Sequence, residues 1–408
     1  MSKSKLVILP MLLALILFVG FFYGFLVGHD QIFPFEILSD INKSLNTKSY
    51  DSPEPRLQIY QDLSSIDELI SIKTYTDIVN KRQLLIDYIW VDDNFPSEKY
   101  PKYYKSDIKD ESFNDMNNLK RIDSFTVEMD YGMNSISYLF LANNSNNKLI
   151  IYHQGHDSRS IGGFDNHSFE EDYRIIQYFL DRNFSVLIFS MVGQGMNNEP
   201  VINFDGLGAI TMNSHEHFRL LESENFHPIK FFIEPVIVTL NQIQNDYNFE
   251  SYFMVGKNSG GWTTVIVSAI DTRIEESYSI AGSFPLWMSS DPANYSDYEQ
   301  NLPDFYRIAN YLELYLLSSY GENRKLVLFY NEFDPCCFPG TLYEKFPFES
   351  TIKDKLNLLG NGKFDVIIDN GQNKHIISDS VMNKIKEYLG VWPHCHLKVI
   401  SCCRPELF

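Results

Sequence analysis

One short stretch constrains the fold more than any other part of this sequence. From Met254 to Thr264 it reads M-V-G-K-N-S-G-G-W-T-T. The apolar residues Tyr252 to Val255 predict a buried strand, the glycines predict a sharp turn, and the residues after Gly260 are compatible with a helix. Glycine is needed where such a turn leaves no room for a Cβ atom. A strand that turns directly into a helix is typical of parallel sheets with helical connections.

The same turn matches, with one change, the G-x-S-x-G nucleophile elbow, which holds a reactive side chain at a strained corner above the edge of a sheet. With Gly256 and Gly260 as the flanking glycines, the nucleophile position holds Asn258, and a serine follows one place later, at Ser259. Lys257 is unusual beside a nucleophile. An amide has no proton to lose and cannot act as a serine nucleophile does. The function therefore depends on which residue occupies the corner of the turn.

Short apolar segments alternate with helical ones from Ile122 to Leu389, which predicts an α/β fold with a mostly parallel sheet and helices on both faces. A leading antiparallel hairpin is expected at one edge. The predicted strands are 124–129, 136–142, 148–153, 184–191, 253–256, 276–281, 325–331 and 364–369. The predicted helices are 169–180, 231–247, 261–270, 304–318 and 378–389.

Three further loops follow predicted strand ends, where open α/β sheets place their sites. Gln154 and Gly155 lie in an H-Q-G-H turn whose backbone N–H groups can stabilise an oxyanion, although an ordinary strand-to-helix turn has the same pattern. Asp334 can orient an imidazole, or simply open an Asp-Pro turn. His375 follows the last strand, and the order elbow, acid, histidine is the one that α/β-hydrolases use.

The region from Ile122 to Leu389 resembles the α/β-hydrolase superfamily. It is similar to membrane-anchored or exported members with G-L-S-G-G-G-W-T-T at the elbow, an H-x-G-H oxyanion turn and D-P-C-C-F around the acid. The resemblance implies an eight-stranded, mostly parallel sheet and serine-type ester or amide hydrolysis, with backbone oxyanion donors near Gln154 and at Ser259. It implies no metal or organic cofactor. Aligned on the tryptophan of the motif, the family serine falls on Asn258.

Three hypotheses stay open at this point. The first is an active serine hydrolase that uses Ser259 with Asp334 and His375 on a small-molecule ester or amide. The second is a catalytically inactive relative that keeps the pocket as a binding or scaffold module, with Asn258 hydrogen-bonded to His375. The third is hydrolysis by a water that Asn258 orients and His375 deprotonates. Removing a triad nucleophile typically leaves only about 10³- to 10⁴-fold acceleration over water, so any activity of the third kind is expected to be small.

The pocket is expected to lie under two long segments, Asn203 to Pro228 and Phe284 to Pro303, with the loop from Met191 to Gly195 at its mouth. Aromatic residues in the second segment favour an apolar or ring-shaped ligand, namely Phe284, Trp287 and Tyr295.

The N-terminus carries an unbroken apolar run from Leu6 to Gly28. At ~1.5 Å rise per residue such a helix can cross a hydrocarbon core of ~30 Å. Lys3 and Lys5 precede it and acidic residues follow, which favours a single-pass anchor with its N-terminus in the cytoplasm and the main domain outside. A cleaved signal peptide is the alternative. The predicted domains are an anchor (1–30), a linker with helical segments (31–121), an α/β-hydrolase domain (122–390) and an atypical tail (391–408).

Net charge and cysteine content limit the kinds of partner that the sequence predicts. The formal net charge is −19, which argues against nucleic acid as a partner because basic side chains must neutralise its phosphates. Cys336 and Cys337 are adjacent, and the other three cysteines lie in the tail, where they can bridge to this pair outside the cytosol. The tail histidines and cysteines can also bind a soft metal, although no C-x-x-C pair is present. They are His394, Cys395, His396, Cys402 and Cys403.

Overall fold

The computed structural model describes residues 66–91, 94–156, 166–288, 296–345 and 347–390. The strands within these ranges are β1 Tyr103–Ile108, β2 Leu119–Glu128, β3 Asn134–Ala142, β4 Lys148–His153, β5 Ser185–Phe189, β6 Val201–Phe204, β7 Gly208–Thr211, β8 Ser251–Lys257, β9 Ile274–Ile280, β10 Lys325–Asn331 and β11 Lys363–Asp369. The α-helices are α1 Tyr75–Trp90, α2 Asn166–Leu180, α3 Lys230–Asp246, α4 Ser259–Ile270, α5 Pro303–Ile308, α6 Tyr311–Ser319, α7 Gly340–Tyr343, α8 Glu349–Leu359 and α9 Asp379–Tyr388.

A single large sheet organises the described residues, with strand order β1-β2-β3-β5-β4-β8-β9-β10-β11. The pairs β1–β2, β2–β3 and β3–β5 are antiparallel, and all later pairs are parallel. The parallel strands β4, β5, β8 and β10 are apolar and almost entirely buried, as expected where helices cover both faces. The prediction of a mainly parallel α/β sheet with flanking helices is confirmed.

The sheet differs from the prediction in its first strand. Nine strands are present in the described part of the chain where eight were expected, because β1 had been assigned to the linker. The side chains of β1 are exposed except at the half-buried Ile108, and the strand lacks the apolar alternation that indicates a strand. Charged residues on an edge strand also discourage pairing with other chains. The predicted boundary at residue 122 therefore falls inside β2.

The predicted helix from 304 to 318 is two helices, α5 and α6, with a break at Asn310. The Asn310 side chain accepts hydrogen bonds from the backbone N–H groups of Leu312 (3.0 Å) and Glu313 (3.2 Å), which is an N-cap. Helix α8 was not predicted, nor was the two-stranded sheet of β6 and β7 inside the expected pocket cover.

The region before β1 packs on the same folded unit. Trp90 Nε1 in α1 donates to Glu234 in α3 at 2.8 Å, and Arg82 Nε donates to the carbonyl of Ala269 in α4 at 2.8 Å. Among the described helices none combines the length and the apolar character that a membrane crossing needs. The predicted anchor, Leu6 to Gly28, lies outside the described residues.

Candidate functional site

The corner of the turn between β8 and α4 is occupied by Asn258. Its backbone has φ 54° and ψ −132°, a conformation that L-residues rarely adopt. Holding a non-glycine residue in such a region costs about 1–3 kcal/mol and is concentrated at functional sites. Ser259 is already the first residue of the helix. The strained position of the elbow thus belongs to asparagine, and the serine does not replace it.

Close backbone contacts explain the glycines around this corner. A Cβ atom on Gly256 would lie 2.1 Å from the carbonyl oxygen of Gly260, and one on Gly260 would lie 2.2 Å from the carbonyl oxygen of His153. A Cβ on Gly155 would lie 2.6 Å from the Cβ of Asn258. The H-Q-G-H turn therefore rests directly against the elbow, as the sequence pattern predicts.

The side chain of Asn258 folds back onto its own helix. Its Oδ1 accepts the backbone N–H of Ser259 at 2.6 Å, and the Ser259 hydroxyl donates to the same oxygen at 3.2 Å. An N–H donor at that distance fixes which end of the amide is the oxygen. The resemblance assigns the Ser259 N–H to the oxyanion hole. The asparagine oxygen is therefore hydrogen-bonded to one of the expected oxyanion donors.

The predicted acid and histidine are in contact. His375 Nδ1 lies 2.8 Å from Asp334 Oδ2, and the Asp334 side chain is fully buried. Asp334 Oδ1 accepts the backbone N–H groups of Cys336 (2.8 Å) and Cys337 (3.3 Å), two residues that form a disulfide with each other. The tail cysteines lie outside the described residues. A carboxylate held in this way fixes the ring orientation and places the proton on Nδ1. We call Asp334 and His375 the acid–histidine dyad.

Two residues hold the histidine loop beside the elbow. Asn331, at the end of β10, donates from Nδ2 to the carbonyls on either side of His375, at 2.9 and 3.2 Å. The Glu171 carboxylate accepts both the backbone N–H of Ile377 (2.8 Å) and the ammonium of Lys257 (2.6 Å). One carboxylate thus joins the residue before Asn258 to the loop that carries His375. The buried Nε2 of His375 has no hydrogen-bond partner within the described residues.

The predicted oxyanion role of Gln154 needs correction. Its backbone N–H donates to the carbonyl of Phe189 at 2.9 Å, because the residue extends the β4–β5 pairing by one bond. Its buried side chain accepts from Ser190 at 2.8 Å and donates to Asp172. Gln154 is therefore a structural residue of the turn, whereas Gly155 lies against Asn258.

The structure does not show the hydrogen bonds to His375 that the first two hypotheses require among the described residues. Asn258 makes no hydrogen bond to His375, because its oxygen bonds Ser259 and the ring Nε2 has no partner within the described ranges. The Ser259 hydroxyl is fully buried and hydrogen-bonded to His156 Nδ1. Neighbouring residues of the elbow therefore contact different groups.

A second group of titratable residues lies on the Ser259 side. It consists of His156, His215, Asp297 and Glu299, whose nearest ligand-type atoms all lie within 4.8 Å of one another. We call it the histidine–carboxylate cluster. Burial alone would raise the pKa of the Glu299 carboxyl, but His215 outweighs it and lowers that pKa. Burial alone would lower the pKa of His215, yet Glu299 raises it, and the pKa of Asp297 is raised by burial and by the Glu299 charge.

The sequence indicated only one member of this cluster, His156, and only as part of the oxyanion turn. His215 comes from the 3₁₀ helix His215–Leu221, and Glu299 from the 3₁₀ segment Tyr298–Gln300. These segments are far apart in the chain and share no spacing motif. Glu171 and Asn331, which position the histidine loop, carried no signal either.

The expected pocket cover is partly described. Phe284 is buried and packs against Tyr330 and Phe338, with ring centroids 5.1 and 6.3 Å apart. Trp287 is half-buried, and Tyr295 lies outside the described residues. Val192, in the loop predicted at the mouth, accepts a hydrogen bond from His215 at 3.3 Å.

Comparison with solved structures supports an α/β-hydrolase-like fold. The chain is similar to methylesterase BT1017, with a TM-score of 0.51 and 13% identity over 77% of this chain and 62% of that chain. It also matches acetyl xylan esterase 1 from a Thermoanaerobacterium species (TM-score 0.47, 15% identity, 79% of this chain and 96% of that one). An acetyl xylan esterase from a Paenibacillus species matches with a TM-score of 0.47 at 13% identity, over 81% and 99% of the two chains. No protein-family model and no curated protein matches the sequence.

Proposed function

We propose that this protein is a binding protein on an α/β-hydrolase-like fold that has lost the covalent step of serine hydrolysis. Its ligand would be a small ester or amide, held where the elbow, the H-Q-G-H turn and the acid–histidine dyad converge. One observation carries the proposal. Asn258 occupies the corner of the elbow, and its Oδ1 accepts the backbone N–H of Ser259 at 2.6 Å.

Two chemical consequences of that observation support the loss of catalysis. An amide cannot be deprotonated to attack a carbonyl. Its oxygen also competes with a developing oxyanion for the Ser259 N–H, and losing one oxyanion donor typically costs about 10²- to 10³-fold in kcat. Ser259 does not compensate, because its hydroxyl is buried and bonded to His156.

A second candidate is slow hydrolysis by a bound water. The observation that favours it is the dyad itself, in which Asp334 holds Nδ1 of His375 while Nε2 has no partner among the described residues. An imidazole oriented in this way can accept a proton from water. This candidate predicts slow turnover of p-nitrophenyl acetate by the wild type, and loss of that turnover in His375→Ala.

Restoring the serine tests the proposal. We expect the wild type to resist labelling by a fluorophosphonate probe and Asn258→Ser to be labelled, because the substitution supplies a nucleophile and releases the Ser259 N–H. Labelling should disappear again in Asn258→Ser/His375→Ala, and p-nitrophenyl acetate hydrolysis should follow the same order. Circular dichroism of each variant shows whether the fold is retained.

The control is Ser259→Ala. Wild-type labelling that is lost in Ser259→Ala would overturn the proposal in favour of a serine hydrolase that uses Ser259. Binding is measured separately, by saturation-transfer NMR with phenyl acetate. We expect a signal from the wild type and none from Asn258→Trp, because an indole at the corner is much larger than the amide and would take the place of the ligand.

We also propose that the folded region is tethered to a membrane by Leu6 to Gly28, with the N-terminus in the cytoplasm. The unbroken apolar run and the preceding lysines support this arrangement. Alkaline carbonate extraction of cell membranes tests it. Retention of the full chain in the pellet, together with protease accessibility of the main domain from the outer face only, is the expected result, and release into the supernatant would contradict it.

A further inference from the structure

The histidine–carboxylate cluster brings four acceptor-type atoms to one point. His156 Nε2 lies 3.0 Å from His215 Nδ1, His215 Nδ1 lies 3.1 Å from Glu299 Oε2, and His156 Nε2 lies 3.6 Å from Asp297 Oδ2. Ligands at about 2.0–2.1 Å from a tetrahedral ion stand about 3.3 Å from one another. These three separations bracket that edge, and the other pairs among the four atoms lie within 4.8 Å.

The His215 ring presents Nδ1 to the cluster, and its other nitrogen contacts a backbone carbonyl. Its Nε2 lies 3.3 Å from the carbonyl oxygen of Val192, which can only accept a hydrogen bond. Nε2 therefore donates to Val192, and Nδ1 is the ring nitrogen that faces Glu299 Oε2 and His156 Nε2. A backbone carbonyl that holds the outer ring nitrogen is the usual support for a metal-binding histidine.

The same reasoning applies to His156. The Ser259 hydroxyl donates to Asn258 Oδ1, whose oxygen is fixed by the Ser259 N–H. The same hydroxyl is hydrogen-bonded to His156 Nδ1. His156 Nε2 is therefore the ring nitrogen that faces His215 Nδ1 and Asp297 Oδ2.

Glu299 gives an independent indication of a cation site. Its side chain is fully buried, and its Oε1 has no hydrogen-bond partner within the residues the structure describes. A buried carboxylate oxygen without a partner is costly. A proton shared between His215 and Glu299 would neutralise one contact, but it would leave Oε1 unsatisfied. A bound ion would place a positive charge beside this carboxylate.

We propose that His156, His215, Asp297 and Glu299 bind one divalent transition-metal ion of the zinc type. Two imidazoles with two carboxylates suit zinc and its neighbours, whereas magnesium and calcium prefer oxygen ligands alone. The His156 and Asp297 side chains are 26% and 45% exposed, which leaves an entry path on one side of the ion. The ion would join the H-Q-G-H turn to two segments of the pocket cover, directly beside Ser259.

The test uses the full chain, stripped with a chelator and titrated with Zn²⁺ and with Co²⁺. We expect one ion per chain in the wild type and a higher Tm in the loaded form, because the ion links three separate segments. Glu299→Gln, which keeps the side-chain shape, and His215→Ala should each weaken Zn²⁺ binding by roughly 100-fold or more. His217→Ala, on the same 3₁₀ helix but bonded to the Thr211 carbonyl, should bind like the wild type.

The tail cysteines are the main competing source of metal binding. A variant with Cys395, Cys402 and Cys403 changed to serine should keep the ion, and the Co²⁺ complex should lack the near-ultraviolet charge-transfer band of thiolate ligands. A stoichiometry well below one, unchanged binding in Glu299→Gln and His215→Ala, or loss of binding in the cysteine variant would each overturn the proposal. None of these readouts requires ester hydrolysis, so the result is independent of the proposed binding function.

Discussion

Two neighbouring residues of one turn lie beside two different polar groups. Asn258 occupies the corner, next to the loop that carries the acid–histidine dyad, whereas Ser259 bonds into the histidine–carboxylate cluster. In the dyad, His375 Nδ1 is paired with Asp334, whereas the other ring nitrogen, Nε2, has no hydrogen-bond partner among the described residues. The cluster brings two imidazole nitrogens and two carboxylate oxygens within 4.8 Å of one another.

This difference indicates which chemistry the dyad and the cluster each support. An oriented imidazole with one unpaired nitrogen is suited to moving a proton. A convergence of imidazole nitrogens and carboxylate oxygens is suited to a cation. Asparagine at the elbow supplies no nucleophile to the first group and does not belong to the second, so the two sides can be tested separately.

The largest expected effect distinguishes the carboxylate of the dyad, Asp334, from a carboxylate of the cluster, Glu299. In the Asn258→Ser background, Asp334→Asn should lower esterase kcat by about 10⁴-fold, because an amide next to His375 favours the wrong tautomer. Glu299→Gln in the same background should lower it by tenfold at most, since Glu299 contacts His215 and not the dyad. Steady-state kinetics with p-nitrophenyl acetate measure both, and a larger loss in Glu299→Gln would reverse the assignment.

A backbone contact that both groups share should have the next largest effect. In Gly260→Ala, the new Cβ would lie 2.2 Å from the His153 carbonyl oxygen and 2.4 Å from that of Gln154, so the H-Q-G-H turn must move. We expect the free energy of unfolding in urea to fall by about 3 kcal/mol. Gly208→Ala is the control: φ is +85° with no atom within 4 Å, and about 1 kcal/mol is expected from backbone strain alone. Equal losses in the two variants would contradict the close packing.

Much of the dyad side could be predicted from sequence, because each of its parts carries a local signal. A glycine-flanked turn after a buried strand marks the elbow, and chain order marks Asp334 and His375. The parallel strands could be predicted for the same reason, since each is a short apolar run. Strand β1 could not, because its side chains are mostly exposed and its place depends on pairing with β2.

The cluster side could not be predicted, because its residues come from irregular segments that only the folded chain brings together. His215 and Glu299 lie 84 positions apart and meet through a 3.1 Å contact. The direction of the Asn258 side-chain amide could not be predicted from the sequence either. It depends on the positive φ of the corner and on the helix N–H behind it, neither of which a residue pattern records.

His153, at the start of the H-Q-G-H turn, should make the free energy of unfolding depend on pH. Burial lowers the pKa of His153 to about 4, below the value of about 6.5 expected in the unfolded chain. The unfolded state therefore binds more protons between these values, and the free energy of unfolding should fall by about 3 kcal/mol as the pH drops through that window. His153→Phe, which keeps a ring beside Phe189, should show a smaller loss over the same window. Urea unfolding at pH 7 and pH 4.5 measures the difference, and identical pH dependence in the two proteins would contradict it.

The smallest expected effect concerns the ion pair between Lys257 and Glu171, which lies on the dyad side only. In Lys257→Met, Glu171 loses its 2.6 Å ion pair but keeps the backbone N–H of Ile377. Because both charges are largely buried, we expect a loss of about 1–2 kcal/mol in the free energy of unfolding. Arg307→Met removes an exposed pair with Asp304 and should cost no more than about 0.5 kcal/mol. Zn²⁺ stoichiometry should remain unchanged in Lys257→Met, because the pair lies on the Asn258 side of the turn; a loss of the ion would show that the two sides are not separable.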